Sequence, residues 1–139
     1  MLLSIDEVKK IDFPCHVDGD GELVVMEGQT NLPFAIARVF VVRAPEGAFR
    51  GQHAHRLCSQ LLTCPNGLVE VECTDGEHSS SFILDHPNVG LLVPPSIWSK
   101  QLYSEPGTAL TVLCDRPYEA EDYIRDYQEF LEYRNDLKK

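Results

Sequence analysis

The chain has 139 residues, 43% of them hydrophobic and 24% charged. That suits one globular domain, residues 1–139, with a core of its own, and it excludes a disordered acidic polymer. Twelve basic against 22 acidic residues give a net charge of −10, and no basic cluster offsets it, so nucleic acid is not an expected partner; a small anion held by a few arginines is compatible with that charge. No apolar run approaches the ~18 residues of a membrane span. The opening segment MLLSIDEVKK carries acids early and lacks the apolar stretch of a signal peptide, so no membrane partner is expected. The five cysteines, Cys15, Cys58, Cys64, Cys73 and Cys114, are odd in number and have no CxxC spacing. They read as reduced, buried thiols of a cytoplasmic protein.

Short strand signals follow one another along the chain. Ala35–Ala44 alternates and is rich in β-branched residues, and Gln60–Cys64, Gly67–Cys73, Ser80–Leu84, Gly90–Val93, Lys100–Ser104 and Thr108–Cys114 continue the series. Between them lie Pro65-Asn66-Gly67, Asp75-Gly76, Pro87-Asn88 and Pro106-Gly107. Asn-Gly and Asp-Gly supply the positive φ that tight hairpins need. In Gly67–Cys73, Leu68, Glu70 and Glu72 share one face and Val69, Val71 and Cys73 the other, so one face is wet. Strands at this spacing predict an all-β sandwich or small barrel. The tail differs: Tyr123, Tyr127, Phe130 and Arg134 fall at helical spacing, which predicts an amphipathic C-terminal α-helix over Glu119–Arg134 docked on the sandwich.

The stretch that carries chemistry runs from Gly47 to Gly67 and reads G-x5-H-x-H-x4-Q-x6-G, with His53, His55 and Gln60 as its polar positions. Two histidines two apart on a strand project to the same side. If that side is interior they share one pocket, and Gln60 on the next strand can face them. A pair of imidazoles can take and return protons near neutrality. A buried, hydrogen-bonded core pair is the bland alternative. His16, His78 and His86 stand in polar, turn-like contexts and read as solvated, with His16 the one placed to approach the pocket.

This stretch resembles the first motif of the cupin superfamily, whose fold is a jelly-roll β-sandwich (a double-stranded β-helix). In metal-binding cupins two histidines, a Glu and a later His hold the ion. Here the Glu position is Gln60 and the later His position, in Gly90–Ser99, is Ser99. Two of the four donors are missing, so neither metal nor cofactor is expected.

A narrower resemblance covers most of the chain, roughly 22–133. Arg50-Gly51-Gln52-His53-Ala54-His55, Gly67–Val71, Leu84–Leu91, Val93–Trp98 and Asp122-Tyr123-Ile124-Arg125-Asp126-Tyr127 are similar to the WxcM-like, FdtA/QdtA-type family of sugar-nucleotide 3,4-ketoisomerases. The resemblance implies metal-independent conversion of dTDP-4-keto-6-deoxyglucose to its 3-keto isomer through an enediol. Carried over, His53 moves the carbon-bound proton between C3 and C4, and His55 shuttles the proton between the two oxygens. Gln60 or Arg38 would steady the enediol, and Arg50 is the natural contact for the pyrophosphate. Trp98 would stack on the thymine or wall the sugar, and Arg125 reads as structural.

Three departures from the family pattern stand out. Ser99 replaces the His or Arg that follows the Trp and helps define the face of C4 reprotonation. Asp20, in the loop Asp18–Glu22, would face an anionic substrate badly. Phe40 replaces a Tyr in the Arg38-Val39-Phe40 strand. The alternative to catalysis is a sugar-nucleotide-binding cupin accessory to a sugar-modifying enzyme. By analogy with cupin sandwiches, exposed strand edges predict a homodimer, with the N-terminal strand able to cross between subunits.

Overall fold

Residues 2–139 are described by the computed structural model. The strands, in chain order, are β1 (Lys9–Asp12), β2 (Cys15–Asp18), β3 (Gly21–Val24), β4 (Arg38–Arg43), β5 (Phe49–His55), β6 (Gln60–Asn66), β7 (Val69–Thr74), β8 (Ser79–Leu84), β9 (Val89–Val93), β10 (Trp98–Tyr103), β11 (Ala109–Cys114) and β12 (Tyr123–Ile124). One helix, α1 (Tyr127–Leu137), closes the chain. One sheet has the order β1-β9-β6-β11-β4 and the other β12-β5-β10-β7-β8, every pairing being antiparallel. This is the all-β sandwich that the strand spacing implied, in the jelly-roll form with a short C-terminal helix that the family resemblance implied. Among the described residues, no helix is long and apolar enough to cross a membrane.

Alternation decides which side chains meet between the sheets. Along β7, Val69, Val71 and Cys73 are fully buried while Glu70 and Glu72 are not, the wet-faced pattern expected for that run. With Leu84, Leu91, Val93, Ile97 and Tyr103 they fill one half of the space between the sheets. Cys58, Cys64, Cys73 and Cys114 are buried and Cys15 is partly exposed, all five as free thiols. The other half lies between β4, β11 and β6 on one side and β5, β10 and β12 on the other. It is floored by Leu62, Leu110 and Val112 and stays open as a cavity. A jelly roll filled at one end and hollow at the other has room for a ligand only at the hollow end.

Three short strands escape the sequence reading. β1 adds to the β9 edge, and β2 and β3 form a separate hairpin with Val17 75% and Leu23 62% exposed. Four-residue strands with mixed burial leave little periodic signal.

The helix is shorter than its aromatic spacing predicts. Residues 120–122 form a 3₁₀ turn, and Tyr123 and Ile124 pair with His55 and Ala54 as β12. The helix starts only after Asp126, whose carboxylate accepts the Gln128 N–H at 3.1 Å. The unpaired edge of β5 satisfies the backbone of Tyr123 and Ile124, and this tertiary pairing overrides helical periodicity. The aromatic stripe is therefore split. Phe130 docks with Trp98, while Tyr123 turns to the cavity.

The Asn66-Gly67 and Asp75-Gly76 turns use their glycines as anticipated, at φ +91° and +92°. Gly67 is also sterically pinned, since a Cβ there would lie 2.2 Å from Thr108 Oγ1. Gly67→Ala is therefore expected to destabilise the fold by on the order of 2 kcal/mol or more, lowering the melting temperature by about 5 °C or more. A calorimetric scan indistinguishable from wild type would contradict this packing.

Candidate active site

A regular strand sends residues 50 and 53 to opposite faces, because their separation is odd. In β5 both line the cavity. The cause is a bulge. Ser99 pairs with His53 and Lys100 with Gly51, leaving Gln52 as the extra residue, and Gly51 and Gln52 have φ of +85° and +52°. Glycine adopts that conformation without cost, and its missing side chain matters too: a Cβ on Gly51 would lie 2.5 Å from Gln101 Oε1. Past the bulge the alternation resumes in the opposite phase, so Arg50, His53 and His55 all turn inward while Phe49 is left 51% exposed.

The two imidazoles meet edge to face, centroids 5.0 Å apart, and both contact the Tyr123 ring. His53 Nδ1 donates to the Gly51 carbonyl at 2.9 Å. A carbonyl can only accept, so the proton sits on Nδ1 and the free lone pair on Nε2. Burial, with the nearby His55 and Arg125, pulls His53 down to about 4, and the Gly51 bond only partly opposes this. His55 Nδ1 donates to Asp122 Oδ2 at 2.8 Å, both side chains 6% exposed. Burial lowers its pKa as well, aided by Arg38 and Arg125 and opposed by Asp122. Asp122 is anchored in turn: its Oδ1 accepts the Leu57 N–H at 2.6 Å. His55 thus also keeps its lone pair on Nε2. The backbone of His55 is fixed from the far side, where its carbonyl accepts the Ser96 N–H at 2.7 Å. The Ser96 carbonyl accepts from buried Arg134 of α1, also at 2.7 Å.

Three arginines surround the pair. Arg50 and Arg125 line the cavity, Arg125 stacking 4.4 Å above the Tyr123 ring. Arg38 donates to the Tyr123 hydroxyl at 3.3 Å and to Cys114 Sγ at 3.6 Å. Among the described residues none of the three reaches a carboxylate, whereas Arg56 and Arg116 both do. Gln60 lines the cavity and its amide donates to Cys114 Sγ at 3.6 Å. Hydrogen bonds from Cys58, Gln60 and Arg38 hold the Cys114 thiol below its ordinary pKa, against its burial. The cavity, about 190 Å³, is therefore cationic at its edge and carries one neutral base, His53, at its wall, with a second, His55, against the Tyr123 ring behind it.

Of the residues picked from the sequence, the fold brings His53, Arg50 and Gln60 to the cavity and sets His55 and Arg38 directly behind Tyr123. Ser99 is buried on the inward face of β10, but its hydroxyl accepts from Gln101 Nε2 at 3.3 Å, and Gln101 lines the cavity instead. Trp98, one residue earlier, points outward and packs on Tyr127 and Phe130 of α1 at 5.2 and 5.6 Å. Its ring stands outside the cavity, so here it neither stacks on a base nor walls a sugar. Phe40 does line the cavity, while Asp20 and His16 lie on the exposed β2–β3 hairpin. Sequence reasoning missed Asp122, Tyr123 and Gln101, and it took Arg125 as structural although Arg125 lines the cavity. The first two were hidden inside the supposed helix. Gln101 had a signal, since it sits two after Ser99 on the same strand face.

The chain is similar to several known sugar ketoisomerases. The family described as FdtA, WxcM-like C-terminal, matches residues 6–135. A TDP-4-oxo-6-deoxy-α-D-glucose-3,4-oxoisomerase of Aneurinibacillus thermoaerophilus is 38% identical over 128 residues, covering 91% of this chain and 92% of its own. The crystal structure of QdtA, a sugar 3,4-ketoisomerase of Thermoanaerobacterium thermosaccharolyticum in complex with TDP, superposes with a TM-score of 0.92 at 30% identity, over 96% of this chain and 98% of that one. A 3,4-ketoisomerase of Helicobacter canadensis gives 0.88 at 34% identity, over 93% and 98%.

The buried state of His53 has a consequence for pH. Its folded pKa of about 4 lies below the ordinary 6.5, so between those values the unfolded chain binds more protons than the folded one. Stability from this group is complete above pH ~6.5 and is lost as pH falls toward ~4, by on the order of 3 kcal/mol. An NMR titration of the folded protein should place the His53 ring midpoint near 4; a midpoint at the unperturbed ~6.5 would contradict this environment.

Proposed function

Because the chain belongs to the WxcM-like, FdtA-type family, we propose that it is a metal-independent 3,4-ketoisomerase of a dTDP-linked 4-keto-6-deoxyhexose in deoxysugar biosynthesis. The observation that carries the reading is the pair of neutral imidazoles, 5.0 Å apart, beside arginines that have no carboxylate partners. The C4 ketone acidifies the hydrogen on C3. His53 Nε2 takes that proton, the electron pair becomes the C3–C4 double bond, and an enediol forms. His55 Nε2, with Nδ1 committed to Asp122, takes the proton from O3 and delivers it to O4. His53 then returns its proton to C4 as the C3 carbonyl forms. Each group starts and ends neutral, so no further reactant is needed.

The low pKa of His53 suits both halves of the cycle: the base is fully unprotonated at neutral pH, and its conjugate acid gives the proton back readily. Negative charge on the enediolate falls among Gln60, Arg38 and Arg125, which carry N–H donors. Arg50, at the cavity edge, is suited to grip the pyrophosphate through two N–H bonds. The chain would also act as a homodimer. The edge strand β4 exposes Val39 (54%) and Val41 (60%), and the β2–β3 hairpin exposes two further apolar side chains, a surface suited to a second copy.

Incubation with dTDP-4-keto-6-deoxyglucose in deuterated buffer should give the 3-keto isomer with deuterium at C4, followed by NMR. His53→Asn should lower exchange by about 10²-fold or more, and Arg50→Ala should act mainly through KM. A wild-type protein that binds the nucleotide sugar but forms no 3-keto isomer would leave the binding-only accessory as the correct reading. Solution mass should correspond to two chains; a monomer at micromolar concentration would refute the dimer.

A further inference from the structure

A second cluster lies behind the cavity; it shares His55 with the histidine pair, and its other members, Cys58 and Asp122, lie outside the cupin ligand positions. One ring nitrogen of His55, the sulfur of Cys58 and a carboxylate oxygen of Asp122 all lie within 4.8 Å of one another. They come from three separate places: the end of β5, the loop before β6, and the 3₁₀ turn before β12. Each residue is buried, at 5%, 2% and 6% exposure. This differs from the exposed acidic clusters common on protein surfaces. The nitrogen on the cluster's side is Nδ1, 2.8 Å from Asp122 Oδ2, while the buried Nε2 has no hydrogen-bond partner and can carry the ring proton when Nδ1 binds a cation.

We propose that His55, Cys58 and Asp122 form an inhibitory binding site for one borderline-soft divalent cation of the zinc type. The donor set, one nitrogen, one sulfur and one oxygen, suits zinc or cobalt and rejects magnesium and calcium, which require six or more oxygens. Binding releases the Cys58 thiol proton to water, moves the His55 ring proton from Nδ1 to Nε2 as Nδ1 leaves Asp122 for the ion, and transfers no electrons. The thiolate and the Asp122 carboxylate then neutralise the doubly charged ion, so the buried site carries no net charge. Zinc–sulfur and zinc–nitrogen bonds of about 2.3 and 2.0 Å bring those two atoms to about 3.5 Å apart. Closing the gap therefore asks for about 1 Å of movement, within reach of rotation about the Cys58 side chain. Once bound, His55 is fixed to the metal and can no longer ferry a proton between sugar oxygens, so this inhibition rests on the ketoisomerase reading. The binding itself does not.

The test uses the full chain, stripped with a chelator and titrated with cobalt(II) as a spectroscopic probe. One equivalent should bind with a thiolate-to-cobalt charge-transfer band. The band should survive Cys15→Ser, which removes the partly exposed thiol, and vanish in Cys58→Ser. Zinc should displace the cobalt and lower turnover at least tenfold in the wild type, with no such effect in Cys58→Ser. If Cys58→Ser fails to fold, X-ray absorption of the wild-type cobalt complex should still show one sulfur in the first coordination sphere. Absence of the band, its loss in Cys15→Ser or its survival in Cys58→Ser would overturn the site. A normal band without zinc inhibition would overturn the switch. A chain with no isomerase activity at all would sink the ketoisomerase reading while the cobalt band still decides the metal site.

Discussion

The functional end of this molecule depends on one extra residue in β5. In an unbroken strand, Arg50 and His53 would face opposite sides, and one of the two would be lost from the cavity. The Gly51–Gln52 bulge reconciles them. The same kink aims the Gly51 carbonyl at His53 Nδ1, so a single backbone irregularity sets position, tautomer and basicity together. It also accounts for Gly51 itself, which has a positive φ of +85° and whose Cβ would lie 2.5 Å from the Gln101 amide on the neighbouring strand β10.

Charge is distributed against the average. The chain as a whole is strongly acidic, yet the hollow half of the sandwich gathers Arg38, Arg50 and Arg125 without a carboxylate to quench them. Two of them share the Tyr123 side chain, Arg38 at the hydroxyl and Arg125 at the ring face. Two cations sharing one phenol stay available to an anion while remaining fixed in place. They also act on the histidines by disfavouring a second positive charge nearby. An acidic exterior repels bulk polyanions, and a cationic interior admits a small one, so the overall field itself contributes to selectivity.

Much of this was legible in the sequence, for definable reasons. Alternation in Gly67–Cys73 and the Asn-Gly and Asp-Gly turns are local signals, and local chemistry satisfied them. The H-x-H spacing placed two rings on one face because strand geometry leaves no choice. What escaped depended on contacts distant in sequence. Tyr123 and Ile124 have a helical partner pattern but lie against the edge of β5, about 70 residues earlier in the chain. Asp122, hidden in the same misread segment, gained its role only when that pairing brought it to His55. Trp98 illustrates the parity rule in reverse: Ser99 faces inward, so its neighbour must face outward, and the indole packs against the helix. The bulge had a visible sign, a glycine inside a strand pattern. That sign says a strand bends there; it does not say which side chains the bend brings together.

Helix α1 has a further implication. Its buried Arg134 grips Ser96, a non-glycine residue held at φ +65°, and Ser96 in turn grips the His55 carbonyl. The tail is thus tied to the histidine pair without touching either sheet's hydrogen-bond ladder through that contact. Trimming by a carboxypeptidase or a stop codon that cuts before Arg134 would remove the brace on His55 and leave the strands paired. The result would be a folded but impaired chain, in which loss of activity is uncoupled from unfolding.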